Sequence, residues 1–294
     1  MKKHKICKIL LVILAIFLCV AFYELLGICV AYKKQPEVSN TTKKETKNGS
    51  WNECSENTER AVIIEKNPEA LLQRVRLIKN AKKEIILSTF AFQSDESGKL
   101  ILGALHDAAD RGVHIRLLVD GMESWIDMEG NPYFYGLSSH ENVEIKLYNK
   151  ANPLKPWKMM GRMHDKYLIA DGKRYILGGR NTYNYFLGDF PGHKNYDRDV
   201  LVVCDEPEKE NSVNQLLEYF ETIWEQEDSD YFHDNKKLAN RKSVKNAVLE
   251  LQNSYQKYFE ENKERICETD YTDETFETEK ITLVSNPIHT GSKE

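Results

Sequence analysis

Residues 163–181, MHDKYLIADGKRYILGGRN, decide the fold because they combine a strand pair with polar residues at one end. His164 and Lys166 are two residues apart, so in a strand both side chains point to the same face. The Asp-Gly pair at Asp171 is a hairpin turn signal. The apolar residues after it predict a returning strand. We therefore expect the hairpin to bring Asn181 back to the end that carries His164 and Lys166.

The side chains at that end are suited to phosphoryl transfer. A neutral imidazole such as that of His164 can attack phosphorus and form a covalent intermediate. Lys166 and Asn181 can stabilise the charge that develops on the phosphoryl oxygens. A surface hairpin with incidental polar residues is the alternative, and the glycine pair Gly178-Gly179, placed just before Asn181, argues against it.

The whole string, His-x-Lys-x4-Asp-x6-Gly-Gly-x-Asn, resembles the HKD motif of the phospholipase D superfamily. The segment from Ile85 to Asp120 adds to this resemblance, because it places a strand, a polar loop, a helix closing on Arg111-Gly112-Val113 and a second strand in the order typical of phospholipase D-like halves. The similarity covers about residues 60–226 and is greatest to the bacterial cardiolipin synthase-like branch.

The resemblance implies a fold and a set of roles. The fold is α/β, a phospholipase D-like mixed sheet flanked by helices, and His164 is the nucleophile with Lys166 and Asn181 binding phosphate. No cofactor and no metal are expected. Asp171 is expected to orient and support the turn, and Asp199 is the first choice for a carboxylate that hydrogen-bonds the catalytic histidine. Asp197 is the second choice for that carboxylate, and a simple turn residue at a strand start is the alternative.

The segment leading into the motif suggests a substrate contact. Lys158 and Arg162 are cations that suit a lipid headgroup, and Trp157 beside them suits a membrane interface. An ordinary loop that packs Trp157 into a core is the alternative.

The resemblance also raises a question of completeness. Superfamily members use two such motifs in one active site, from two halves of a chain or from two subunits, and the sequence contains one. The chain is therefore expected to be the first half of a two-motif enzyme. A single-motif subunit that forms a homodimer, acting as a phosphodiesterase or nuclease, and an inactive fragment are the alternatives. The net charge of -5 and the pI near 6.0 argue against nucleic acid as the substrate.

The N-terminus predicts a membrane anchor. Residues 9–31 are apolar except for Glu24, and 23 residues can span a bilayer. Lysines concentrate before this stretch, which predicts a single-pass protein with a cytoplasmic N-terminus and an extracytoplasmic catalytic domain. A cleaved signal peptide is the alternative. On that exported side Cys54 and Cys267 are the candidates for a disulfide bond.

The expected organisation divides the chain into six parts. They are a basic stub at 1–8, the anchor at 9–31, a flexible tether at 32–59, the phospholipase D-like domain at 60–230, a charged helical connector at 231–280 and, at 281–294, the start of an incomplete second half. Within the domain we expect helices at 67–80, 99–110 and 211–226 and strands at 84–92, 113–119, 143–147 and 199–204, with a further strand at 281–285. The whole chain is thus interpreted as a membrane-anchored enzyme acting on phospholipid.

Overall fold

The computed structural model of the chain describes residues 2–33, 59–159, 161–207, 211–233 and 235–285. The described residues fall into two compact units. The first contains the N-terminal helix and the segment 151–162 around it, and the second contains residues 59–150 and 163–285. Most of the expected tether and Cys54 lie outside the described residues, so the Cys54–Cys267 pairing stays a prediction.

The first unit is built on one long helix, α1 (Lys2–Lys33). By length and composition its stretch Lys5–Val30 can cross a membrane. Segment 151–162 contains a short 3₁₀ turn, Pro156–Lys158. The Tyr23 hydroxyl of α1 donates a hydrogen bond of 2.8 Å to the backbone oxygen of Leu154, so the segment packs on the last turns of this helix.

The second unit contains a mixed sheet flanked by helices, which confirms the expected fold class. Its strands are β1 (Arg60–Ile64), β2 (Glu84–Thr89), β3 (His114–Asp120), β4 (Val143–Tyr148), β5 (Lys166–Ala170), β6 (Arg174–Gly178), β7 (Asp199–Val203), β8 (Ser229–Tyr231) and β9 (Phe276–Glu277). Its helices are α2 (Asn67–Asn80), α3 (Glu96–Asp110), α4 (Gly121–Asp127), α5 (Pro132–Ser138), α6 (Ser212–Trp224), α7 (Lys242–Glu261) and α8 (Lys263–Cys267). Within the described residues the strands form one nine-stranded sheet in the order β8-β4-β3-β2-β5-β6-β7-β1-β9.

Apolar runs in the central strands are explained by burial on both faces of the sheet. Strands β2, β3 and β4 pair in parallel, and the other pairings are antiparallel. Ile85 and Leu87 point into the core formed with α2, α3, α5 and α7. On the opposite face Tyr167 packs against Phe220 of α6, with ring centroids 6.5 Å apart. A parallel strand with both faces covered is expected to be apolar throughout.

The hairpin predicted from residues 163–181 is present as β5 and β6. Tyr167 pairs with Leu177 across it. The turn residues Asp171 and Gly172 both have positive φ, 55° and 63°, as the two central residues of a type I′ turn require, and the Lys173 N–H closes the turn on the Ala170 backbone oxygen. The Asp171 carboxylate accepts hydrogen bonds from the backbone N–H groups of residues 82, 83 and 84. It therefore ties the turn to the start of β2.

The other predicted elements are present with small shifts at their ends. The sequence analysis missed the helices α4 and α5 and the strands β1, β8 and β9. The sequence contains a local signal for the start of each of these two helices. Asp120 and Asn131 are N-caps whose side chains accept hydrogen bonds from backbone N–H groups, and Pro132 follows Asn131. The strand expected at 281–285 is wrong: these residues adopt no regular structure, and Leu283 N–H donates to the Gln215 side chain.

Residues 231–280 pack back onto the domain, so the boundary expected near residue 230 falls inside the compact unit. The apolar stripe of α7 is buried against α3 and α5, with Leu251 fully inaccessible to solvent. Gly103 of α3 permits the close approach, because a Cβ there would lie 2.7 Å from the backbone oxygen of Leu251. After α8 the chain adds β9 antiparallel to β1.

Two leucines on α7 test this packing. Leu251 is 0 % exposed and Leu249 is 58 % exposed on the same helix. Leu251→Ala should lower the free energy of unfolding by about 2–5 kcal/mol, since it leaves a cavity in the core. Leu249→Ala should change that free energy by about 0.5 kcal/mol or less. Thermal unfolding of the full chain in detergent measures both, and equal effects would contradict the docking of α7.

Candidate active site

The candidate site lies where four strand ends meet. Thr89, the last residue of β2, pairs with Lys166, the first residue of β5. Gly178, the last residue of β6, pairs with Asp199, the first residue of β7. Because β2 and β6 end where β5 and β7 begin, the segments that continue from these strands come together at one edge of the sheet.

His164 lies just before β5 and is exposed to solvent. Its ring contacts the ring of Phe90 edge-on, with centroids 4.7 Å apart and an angle of 62° between the planes. Phe90 follows β2 directly, so the pairing of β2 with β5 places it beside the imidazole. An accessible imidazole supported by an aromatic ring is available to attack a substrate.

Lys166 lies beneath that imidazole and is buried. Its Nζ donates a hydrogen bond of 2.6 Å to the backbone oxygen of His164 and lies 5.4 Å from the centroid of the Phe90 ring. Burial lowers the pKa of Lys166, and the carboxylates of Asp165 and Asp197 act in the opposite direction. The ammonium group is thus held close to the exposed histidine.

Asn181 is brought to the same edge, as the sequence predicted. Its Oδ1 accepts a hydrogen bond of 3.2 Å from the backbone N–H of Ala91. Thr182 forms an isolated bridge with Phe92, which fixes the segment after β6 to the segment after β2. With Oδ1 held by the backbone, the amide nitrogen is the group oriented as a donor.

The glycine pair is required by the close approach of the segment before β7. A Cβ at Gly178 would overlap Asp199, and a Cβ at Gly179 would overlap the carboxylate of Asp197. Asp197 is half-buried and its charge acts on Lys166. Of the two carboxylates proposed from the sequence, Asp197 is therefore the one whose negative charge acts to raise the pKa of Lys166.

Asp199 has a different environment from the one expected. Its Oδ2 lies 2.9 Å from Nη1 of Arg74 and 3.2 Å from Nη1 of Arg180, and all three side chains are buried. The structure therefore gives Asp199 two arginine partners in place of His164. The expectation failed because Arg74, on α2, is distant in sequence, and no local pattern marks it as a partner.

Asp120 is a site-positioning residue that sequence reasoning missed. Its Oδ1 caps α4, and its Oδ2 accepts a hydrogen bond of 3.1 Å from the backbone N–H of Met163. Met163 precedes His164, so this buried carboxylate fixes the segment that leads into β5. The signal available in the sequence was an aspartate at the end of the β3 apolar run.

Asp165 faces the side of the sheet opposite to His164. The Tyr219 hydroxyl of α6 donates a hydrogen bond of 2.8 Å to its Oδ2. Burial raises the pKa of the Asp165 carboxyl, and the hydrogen bond from Tyr219 opposes that shift. The link attaches the segment between His164 and Lys166 to α6.

One predicted residue of the second unit, Asp171, does not join this cluster. Asp171 lies at the turn, at the far end of β5 from Lys166. Lys158 and Arg162 belong to the first unit. Within the described residues no group of three or more His, Cys, Asp or Glu side chains is arranged to hold a metal ion.

Residues 74–224, slightly more than half of the chain, match the family model described as cardiolipin synthase, PLD-like domain. The chain belongs to this family of the phospholipase D superfamily, as the motif predicted. The family match includes His164, Lys166 and Asn181 together with the strands that position them.

Individual relatives match over parts of their length. The chain is 30 % identical over 212 residues to an uncharacterized protein of Helicobacter pylori strain J99, covering 67 % of this chain and 39 % of the relative. It is 29 % identical over 171 residues to cardiolipin synthase C of Escherichia coli K12, covering 53 % and 34 %. The structure of NucT from Helicobacter pylori superposes with a TM-score of 0.47 and 17 % identity, over 59 % of this chain and 99 % of that one. The chain thus spans less than half the length of these two sequence relatives.

Removing the buried carboxylate tests the role of Asp199. Asp199→Asn leaves Arg74 and Arg180 buried without their counter-charge and should cost about 3–5 kcal/mol of unfolding free energy. Asp205→Asn is the matched control, because Asp205 pairs with Arg174 at an exposed position and should cost about 1 kcal/mol or less. Denaturant unfolding in detergent compares the two, and similar small losses would show that Asp199 does not organise the site.

A pH titration tests the environment of Asp165. A carboxyl whose pKa is raised by folding favours the native state when protonated, so that stabilisation is lost as pH rises through the folded-state pKa. Asp165→Asn does not titrate and keeps an oxygen that can accept from Tyr219. Its stability relative to the wild type should therefore increase between about pH 4 and pH 7. A difference that is flat or decreasing with pH would contradict the raised pKa.

Proposed function

We propose that the chain is a membrane-anchored phospholipase D-like enzyme that cleaves or transfers phosphodiesters of phospholipids through a phosphohistidine on His164. The observation that carries this proposal is the arrangement at one sheet edge of an exposed imidazole, a buried ammonium beside it and an oriented amide. Family membership supports phosphodiester chemistry, and the name of the Escherichia coli relative supports a phospholipid substrate.

The proposed reaction has two displacements at phosphorus. A ring nitrogen of His164 attacks, a phosphorus–nitrogen bond forms, and the bond from phosphorus to the leaving alcohol breaks. A general acid must give that alcohol a proton. The oxygen of a water or an alcohol then attacks phosphorus and gives up its proton to the same group. A phosphorus–oxygen bond forms, the phosphorus–nitrogen bond breaks, and the product leaves with His164 restored to a free imidazole. Lys166 and the Asn181 amide stabilise the charge on the phosphoryl oxygens in both steps.

The resemblance implies that the general acid comes from a second motif in the same active site. This chain contains one such motif. We propose that a second motif supplies the general acid, either from a further segment of the same protein or from a second copy of the chain. The first source is favoured because the chain spans only part of the length of its curated relatives.

The proposed location follows from α1, which can cross a membrane. The concentration of lysines before the apolar stretch supports a cytoplasmic N-terminus and an extracytoplasmic domain. An enzyme held at the bilayer meets phospholipid at high effective concentration. Lys158 and Arg162 are proposed to contact the headgroup.

Substitution of the nucleophile is the direct test. His164→Asn should abolish turnover of a labelled phospholipid by any active assembly without unfolding the protein, because no other described group occupies the nucleophile position. His114→Asn is the control, since His114 begins β3 at the opposite end of the sheet and should leave turnover intact. Full activity in folded His164→Asn protein would exclude the mechanism.

The phosphate-binding groups should show graded losses. Lys166→Ala and Asn181→Ala are each expected to lower the rate by about 10²-fold or more, the scale for removing one charge-stabilising group. Lys173→Ala, on the far turn of the hairpin, should retain the wild-type rate. Added chelator should not affect the wild type, and a loss of activity in chelator would reveal a metal requirement.

The source of the second motif can be identified from mass and activity measured together. Expressed alone, the 294-residue chain is expected to be a monomer by light scattering and to lack robust turnover. An active dimer that loses activity on dilution would favour the homodimer, and cleavage of DNA by that dimer would favour a nuclease. An active monomer would contradict both sources of the second motif.

A further inference from the structure

We propose that segment 151–162 is a membrane-docking segment, held by the outer turns of α1 and inserted into the bilayer interface through Leu154 and Trp157. This inference rests on the membrane anchoring in the proposed function and goes beyond it, because it assigns the bilayer as the partner of a particular surface. The contacts that carry it lie entirely within the first unit.

The first observation is where the segment touches α1. Tyr23 donates its hydroxyl hydrogen to the backbone oxygen of Leu154 at 2.8 Å, and a Cβ on Gly27 would overlap the ring of Pro156. Gly27 precedes Val30, the end of the apolar stretch, by about 4.5 Å along the helix axis, and Tyr23 precedes it by about 10 Å. The segment therefore packs on the last two turns of the part of α1 that can cross a membrane.

A helix that spans a bilayer places those turns at one membrane interface. Segment 151–162, which packs on these turns, is therefore held at the depth of that interface. Glu24 lies on the same side of α1 as Gly27, one turn earlier, and is partly shielded where most of its neighbours are exposed.

The second observation is the composition of the segment. It carries three cations, Lys155, Lys158 and Arg162, and no acidic residue. Leu154 is 78 % exposed although it is a large apolar side chain, and Trp157 is half-buried. Exposed apolar and aromatic side chains interleaved with cations are typical of segments that enter the headgroup region of an anionic membrane.

The local fold of the segment is suited to this role. Successive turns close through backbone hydrogen bonds from residue 155 to 152, from 158 to 155 and from 161 to 158. These bonds satisfy polar backbone groups within the segment, which lowers the cost of placing it near hydrocarbon.

Quenching of tryptophan fluorescence by brominated lipids tests the insertion. The full chain is reconstituted into vesicles of phosphatidylglycerol and phosphatidylcholine, with and without bromine on the acyl chains. Trp157→Phe should lose most of the quenchable emission. Trp125→Phe is the matched control, because Trp125 is exposed but lies on α4, outside the segment, and it should retain that emission. Unchanged quenching in Trp157→Phe would overturn the proposal.

A second pair of variants tests the docking on α1. Gly27→Val places a side chain where Pro156 packs and should reduce the quenching of Trp157. Ala15→Val makes a similar change at an exposed position of the same helix and should not. Full quenching in Gly27→Val would overturn the helix-docked arrangement.

Carbonate washing of the vesicles separates this inference from the anchoring on which it rests. Protein released by the wash would overturn both. Protein that resists the wash and shows no quenching of Trp157 would overturn the docking segment alone and leave the membrane anchor standing.

Discussion

The pairing of one buried carboxylate with two buried arginines is the interaction on which the site depends. Asp199 receives Arg74 from α2 and Arg180 from the segment after β6. Arg180 also donates to the backbone oxygens of Ile64 and Glu65. A buried charge is costly unless it is paired and hydrogen-bonded, so these groups are stable only when all of them are in place. The network therefore fixes Arg180, the residue immediately before Asn181, against β1, α2 and β7.

The antiparallel pairing of β2 with β5 supplies the other half of the geometry. It sets Phe90 beside His164 and Lys166 next to the end of β2. Consecutive side chains at the start of β5 point to opposite faces of the sheet. Lys166 faces the site, and Asp165 turns to the opposite face and binds Tyr219. Together with Asp120, which holds the backbone of Met163, this arrangement attaches the segment around His164 to α4 and α6.

The C-terminal part of the chain has a structural role in the compact unit. Helix α7 covers α3 and α5, and β9 extends the sheet beside β1. The many charged residues of this region suggested a solvated connector, but its apolar stripe, which includes Leu251 and Tyr255, needs a partner surface. Burial of that stripe explains why the unit extends past residue 230. A function in joining a further catalytic half is a separate proposal and is compatible with this packing.

The sequence by itself determined the features that depend on local periodicity and short motifs. Strand alternation fixed the common face of His164 and Lys166, the Asp-Gly turn fixed the hairpin, and the return strand brought Asn181 to the same edge. Tertiary structure alone decided the partners of the carboxylates. Asp199 binds Arg74, 125 residues away, and Asp165 binds Tyr219, 54 residues away. Such pairings depend on which distant elements pack together. Apolar periodicity shows that an element is buried but does not identify the element that covers it, so no local pattern marks these contacts.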